Sequence, residues 1–156
     1  MRTKRSASLL NKTPTTNKSD SGGNTMEIAL MADDKKKELM IQFCIAYAGI
    51  LNKHNLCATG ATARLISEAT GLSIEPYLGG IQGGGEQVIA RISCDEIDLV
   101  IYFRDSQAES NNELDFSKLC DTRNIPYATN LATAEVLILA LQRGDLDWRY
   151  NIKSGR

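Results

Sequence analysis

Ile97-Asp98-Leu99-Val100-Ile101-Tyr102-Phe103 is the stretch whose reading decides the fold. Its apolar run is nearly continuous rather than alternating, which suits a strand covered by helices on both faces of a parallel sheet. Parallel strands need crossover connections, so helical patterns should separate this strand from its neighbours. They do so in both directions. Toward the N terminus, 27–32 reads as a buried strand, 35–51 as a helix with Leu39, Phe43, Tyr47 and Ile50 on one face, and 56–58 as a short strand. Gly60 then opens a helix that stops at Gly71, 73–78 reads as a further strand, 79–85 as a glycine-rich loop and 86–94 as a short helix. Toward the C terminus come a polar loop over 104–112, a helix over 115–123, a strand over 125–128 and a last helix over 133–143 ending at Gly144. This alternation predicts an α/β fold with a doubly wound, mostly parallel sheet flanked by helices.

The 156 residues, 42% of them hydrophobic, suffice for one sizeable core and are too few for two full domains. Residues 26–150 form the predicted domain, with a short C-terminal tail at 151–156. Residues 1–25 are rich in Ser, Thr, Asn, Lys and Arg and lack an apolar period, so they are expected to be a disordered basic tail. Their composition bears a weak likeness to a transit peptide and lacks the apolar core of a secretory signal. Met26 stands directly before the first strand, and an upstream extension is the simpler reading of what precedes it.

The chain carries 19 acidic residues against 18 Lys and Arg, and without the tail the balance is 18 against 13. No overall positive field draws nucleic acid or an anionic membrane, so any anionic ligand must be caught locally. No apolar stretch approaches the ~20 residues that span a bilayer. Cys44, Cys57, Cys94 and Cys120 contain no C-x-x-C pair and lie in or beside apolar runs, so they read as buried reduced thiols. A cytoplasmic protein without metal is therefore expected. His54 is the only histidine and sits in a polar stretch after a helical pattern, where a helix-terminal or solvated role is expected.

In a doubly wound sheet, ligands bind beyond the carboxyl ends of the strands. Four segments occupy such positions: 33–37, 59–62, 79–87 and 104–105. Thr59-Gly60-Ala61-Thr62 places backbone N–H groups, two hydroxyls and the positive end of a helix dipole at one point, which makes an anion site. The five glycines among 79–85 allow a ligand to approach the backbone, or the segment to close over a site. Lys35 and Lys36 read as a solvated face. Lys37, one turn into a helix that starts at the ligand edge, is placed to reach a phosphate.

From Met26 to about Arg149 the chain resembles the methylglyoxal synthases, lyases that convert dihydroxyacetone phosphate to methylglyoxal and inorganic phosphate. The stretches that carry the resemblance are MEIALMADDKKKELM, LCATGATARLISEATGL, GGIQGGGEQV, EIDLVIYFRD and RNIPYATNLATAEVLI, in family order and spacing. It implies that Lys37, Thr59, Gly60, Thr62 and Gly80 grip the substrate phosphate and that Asp105 and Asp115 are active-site acids. Ala61 stands at a usual Thr and Gly79 at a usual Ser, a loss of two hydroxyl donors that weakens affinity by a factor on the order of a hundred. The family's base is the aspartate of a Gly-Gly-Asp-Gln-Gln motif, whose position is taken here by Gly85, with Glu86 next to it as the replacement. Asp33 and Asn112 stand where the family has histidines, beside the substrate. No cofactor is implied, and a closed homo-oligomer, commonly a hexamer, is. Two function classes follow: a divergent methylglyoxal synthase using Glu86, Asp105 and Asp115, or a catalytically impaired phosphate-ligand-binding or regulatory paralogue.

Overall fold

The computed structural model describes residues 24–77, 84–107 and 116–150. The tails at 1–23 and 151–156 and most of the glycine-rich loop lie outside these residues. Five strands form one sheet: β1 (Glu27–Ala32), β2 (Asn55–Thr59), β3 (Ile74–Tyr77), β4 (Leu99–Phe103) and β5 (Tyr127–Ala128), in the order β3-β2-β1-β4-β5 with every neighbouring pair parallel. The helices are α1 (Lys37–Ala46), α2 (Ala48–Leu51), α3 (Gly60–Thr70), α4 (Gly84–Ser93), α5 (Phe116–Arg123) and α6 (Leu131–Arg143).

Both faces of the sheet are covered, as the unbroken apolar run of β4 predicts. Successive strand residues point to opposite faces, so Ile28 and Leu30 pack with Phe43, Ile66 and Ile138, while Ala29 and Met31 pack with Val88, Ile92 and Phe116. The first set belongs to α1, α3 and α6, the second to α4 and α5. Burying a side chain of this size contributes roughly 1.5–3 kcal/mol.

The structure refines several predicted boundaries. The helix expected over 35–51 is a 3-10 turn at Asp34–Lys36 followed by α1 and α2, with a break at Tyr47, whose φ of −114° leaves the helical range. α4 takes in Gly84 and Gly85, which the sequence reading assigned to the loop. α6 starts two residues earlier than expected because the Asn130 side chain accepts the Thr133 N–H at 3.0 Å, a cap the reading overlooked. Gly71 and Gly144 end α3 and α6 in the left-handed conformation, as their positions predict.

His54 is helix-terminal by its backbone, donating its N–H to Leu51 O, but it is buried rather than solvated. Its Nδ1 accepts the Met26 N–H at 3.0 Å and holds the approach to β1.

At the edge formed by the strand N termini, Arg149 and Asp98 are almost wholly buried and paired, Nε to Oδ1 at 3.2 Å. The other guanidinium nitrogens donate to Asn124 O at 2.7 Å and Ile97 O at 3.4 Å, and the second Asp98 oxygen accepts the Glu27 N–H at 2.9 Å. This clasp joins the C-terminal segment to β1 and β4.

Cys44, Cys57 and Cys120 are buried free thiols, whereas Cys94 is exposed, which corrects the expectation that all four are buried. Cys94 follows the last turn of α4, where the buried stripe of Val88 and Ile92 has already turned away. Loss of hydration pushes the Cys44 and Cys120 thiols up to about 12 and Cys57 up to about 11. In the folded protein at pH 8, a maleimide should therefore modify Cys94 alone, and the other three should react only after unfolding. Mass spectrometry counts the adducts, and rapid multiple labelling of folded protein would contradict the burial. The same shifts fix the alkaline behaviour. The unfolded thiols lose protons near their ordinary value of 9.0 while the folded ones keep theirs, so stability should fall progressively as pH rises from 9.0 to about 12.

Candidate functional site

The sheet order makes one place on the carboxyl edge special. From β1 the chain runs outward through β2 to β3, then returns to place β4 on the other side of β1, so the connections after β1 and β4 diverge. Ala32 and Phe103 are paired across this divide, and the Asp33 N–H donates to Phe103 O at 3.0 Å. Segments 33–37, 59–62 and 104–105, which the sequence placed after strands, converge along this edge.

Thr59 ends β2 and is the N-cap of α3, but its side chain makes no cap hydrogen bond. The first-turn N–H groups of α3 therefore lack the side-chain acceptor that Asn130 gives α6, which leaves a partial positive charge available to an anion. Instead the Thr59 hydroxyl donates to Thr62 Oγ1 at 3.4 Å. Lys37 Nζ donates to the same oxygen at 3.3 Å and to Ala32 O at 3.2 Å. Lys37 is thus folded back over the end of β1 toward the start of α3, with its side chain only 24% exposed. Among the described residues its ion-pair partner is Asp34, at 3.5 Å and 99% exposed, a pair that water screens strongly. Gly60 is needed for this geometry: a Cβ there would stand 3.0 Å from Tyr77 O, so a larger residue would push α3 away from the end of β3.

Beside this corner lies a second group. Asp33 accepts the Tyr102 hydroxyl on Oδ1 at 2.8 Å and the Asp105 N–H on Oδ2 at 2.7 Å. Asp105 is half-buried, and its own Oδ1 accepts the Gln107 N–H at 3.0 Å. Tyr102 packs edge-on against Phe116, with Arg104 over its ring. Burial first, and the Asp33 carboxylate second, push its hydroxyl up to about 12, so it stays a donor at any ordinary pH.

Of the residues singled out from sequence, the structure brings Lys37, Thr59, Gly60 and Thr62 into one corner, and Asp33 and Asp105 into direct contact. Ala61 is exposed on the first turn of α3. Glu86 is exposed on the first turn of α4, and no hydrogen bond among the described residues joins it to the corner. Gly79, Gly80, Asn112 and Asp115 lie outside the described residues. Tyr102 was overlooked, although a hydroxyl at the carboxyl end of an apolar strand is a readable signal. No group of three or more His, Cys, Asp or Glu able to hold a metal occurs among the described residues.

Comparison with known proteins settles the lineage. The model of the MGS-like domain matches residues 39–129. The methylglyoxal synthase of Caldicellulosiruptor saccharolyticus is 56% identical over 127 residues, which cover 80% of this chain and 90% of that protein. The chain belongs to the methylglyoxal synthase family. A second methylglyoxal synthase, from Thermoanaerobacterium thermosaccharolyticum, is 50% identical over 131 residues, covering 82% of this chain and 98% of the relative. The crystal structure of methylglyoxal synthase from Elizabethkingia anophelis superposes with a TM-score of 0.68 at 35% identity, covering 74% of this chain and 78% of that one. The family's fold is thus the one described above, a five-stranded parallel sheet between helices. Among the described residues no helix is long and apolar enough to cross a membrane.

Proposed function

We propose that this chain binds dihydroxyacetone phosphate by its phosphate at the Lys37–Thr59–Thr62 corner and acts as a methylglyoxal synthase with weakened proton handling. The observation that carries the reading is the Lys37 ammonium turned onto Thr62 Oγ1 at the uncapped start of α3. A dianion seated there displaces the exposed Asp34 from Lys37 and accepts from the ammonium, the threonine hydroxyls and the helix N–H groups together. The reaction removes a proton from the hydroxymethyl carbon, on the far side of the carbonyl from the phosphate ester, and moves the electrons onto the carbonyl oxygen as an enediolate. This then collapses to break the C–O bond to phosphate on the opposite carbon. Inorganic phosphate leaves, and the remaining enol becomes methylglyoxal. Asp105 and Asp115 are the acids nearest this chemistry by family pattern, and Glu86 is the replacement base. The protein works in the cytoplasm as a closed homo-oligomer, commonly a hexamer in its family.

A second reading is favoured by Gly85, which presents no side chain at the base position. In it the chain is a phosphate-ligand-binding paralogue that has lost turnover. One experiment separates the two. Purified protein given dihydroxyacetone phosphate is assayed for methylglyoxal, and calorimetry measures inorganic phosphate binding. Slow methylglyoxal release that Glu86→Gln abolishes supports the first reading, and binding without release supports the second. Gly85→Asp should raise turnover about 10²- to 10⁴-fold, the usual worth of a positioned general base. No binding of phosphate at all would refute both.

A further inference from the structure

We infer that Asp33 is a positioning residue: its carboxylate latches the connection after β1 to the connection after β4 and so fixes Asp105 at the ligand edge. The inference rests on the proposed function only in making Asp105 an active-site acid. Both Asp33 oxygens are engaged by protein donors from the β4 side, the Tyr102 hydroxyl at 2.8 Å and the Asp105 N–H at 2.7 Å. The partners are 69 and 72 residues away in sequence, so these bonds are tertiary and not part of a local turn. A carboxylate that accepts one short bond on each oxygen holds both donors in a fixed relation, and hydrogen bonds to an ionised acceptor are about twice as strong as neutral ones. Tyr102 is itself held by Phe116 at 5.6 Å and by Arg104 over its ring at 5.4 Å. The latch therefore has a rigid side, Tyr102 in its strand, and a dependent side, the backbone of Asp105 beyond the strand's end. With its oxygens committed in this way, Asp33 serves the ligand through Asp105 and not by direct contact.

The test uses Asp33→Ala and Tyr102→Phe, the second of which keeps the ring contacts and the strand. Amide hydrogen exchange is followed by NMR in the full chain. The Asp105 N–H should exchange at least about tenfold faster in both variants, while Leu30 and Ile101 in the sheet keep their protection. With dihydroxyacetone phosphate, kcat should fall about tenfold with KM within about threefold of the parent, because the Lys37 corner is untouched. Unchanged Asp105 exchange in both variants overturns the latch, as does a uniform loss of protection across β1 and β4, which marks a merely structural role. Exchange is read without ligand, so failure of the latch and failure of the proposed reaction are separate results.

Discussion

Lys37→Met should lower the affinity for inorganic phosphate by roughly a hundredfold, the loss of one or two hydrogen bonds to a charged oxygen at about 1.5–3 kcal/mol each. Methionine keeps the length of the side chain and its packing, so the effect isolates the ammonium. In the protein as it stands that ammonium is already held at the site by Ala32 O and Thr62 Oγ1, and little ordering entropy remains to oppose binding. Lys35→Met is the matched control. Lys35 is exposed, and its loss should change affinity by less than about twofold, the scale of a screened surface charge. Isothermal calorimetry at fixed ionic strength measures both. If Lys37→Met binds phosphate as tightly as the parent protein, the corner is not the anion site.

Arg149→Met should destabilise the fold by about 3–5 kcal/mol, because it leaves the Asp98 carboxylate charged and buried beside apolar neighbours. For a chain of this size that is a fall in melting temperature of roughly 10 °C or more, read by calorimetry or circular dichroism. Asp98→Asn combined with Arg149→Met should recover much of the loss. The amide still accepts the Glu27 N–H, and no unpaired charge remains. The clasp lies at the opposite edge of the sheet from Lys37, so phosphate affinity of the folded variants should match the parent. A double variant no more stable than Arg149→Met would show that the cost comes from lost packing of the long side chain and not from the orphaned charge.

The architecture was legible because each strand and most helices carry their own signal. Residues 97–103 are apolar but for Asp98 and do not alternate, Gly71 and Gly144 stand where helices stop, and the segments after β1, β2 and β4 carry the polar residues. Physical reasons also account for what was missed. The break at Tyr47 is hidden because tyrosine fits a helix face as well as a helix end, and packing of Tyr47 on Phe43 at 5.0 Å decides the matter. Asp98 was read only as part of the 97–103 run, since its partner lies 51 residues downstream and pairing at that distance leaves no local pattern. Lys37 and the Thr59–Thr62 turn were readable from position relative to a strand end. The bonds that Tyr102 and the Asp105 backbone make to both Asp33 oxygens span 69 and 72 residues and so leave no local pattern either.

The strand order carries a consequence for how the molecule assembles. Lys37 and Thr62 are 25 residues apart and belong to the contiguous unit from β1 to β3, whereas the Asp33 bonds to the β4 side span about 70 residues and the clasp involves the last described turn of the chain. Closing the shorter loops costs less entropy, so the Lys37–Thr62 corner belongs to the earlier half of folding and the join at Asp33 to the later half. On a ribosome, the emerging chain would contain every residue of the Lys37–Thr62 contact before β4, which Asp33 and the clasp tie down, had been synthesised.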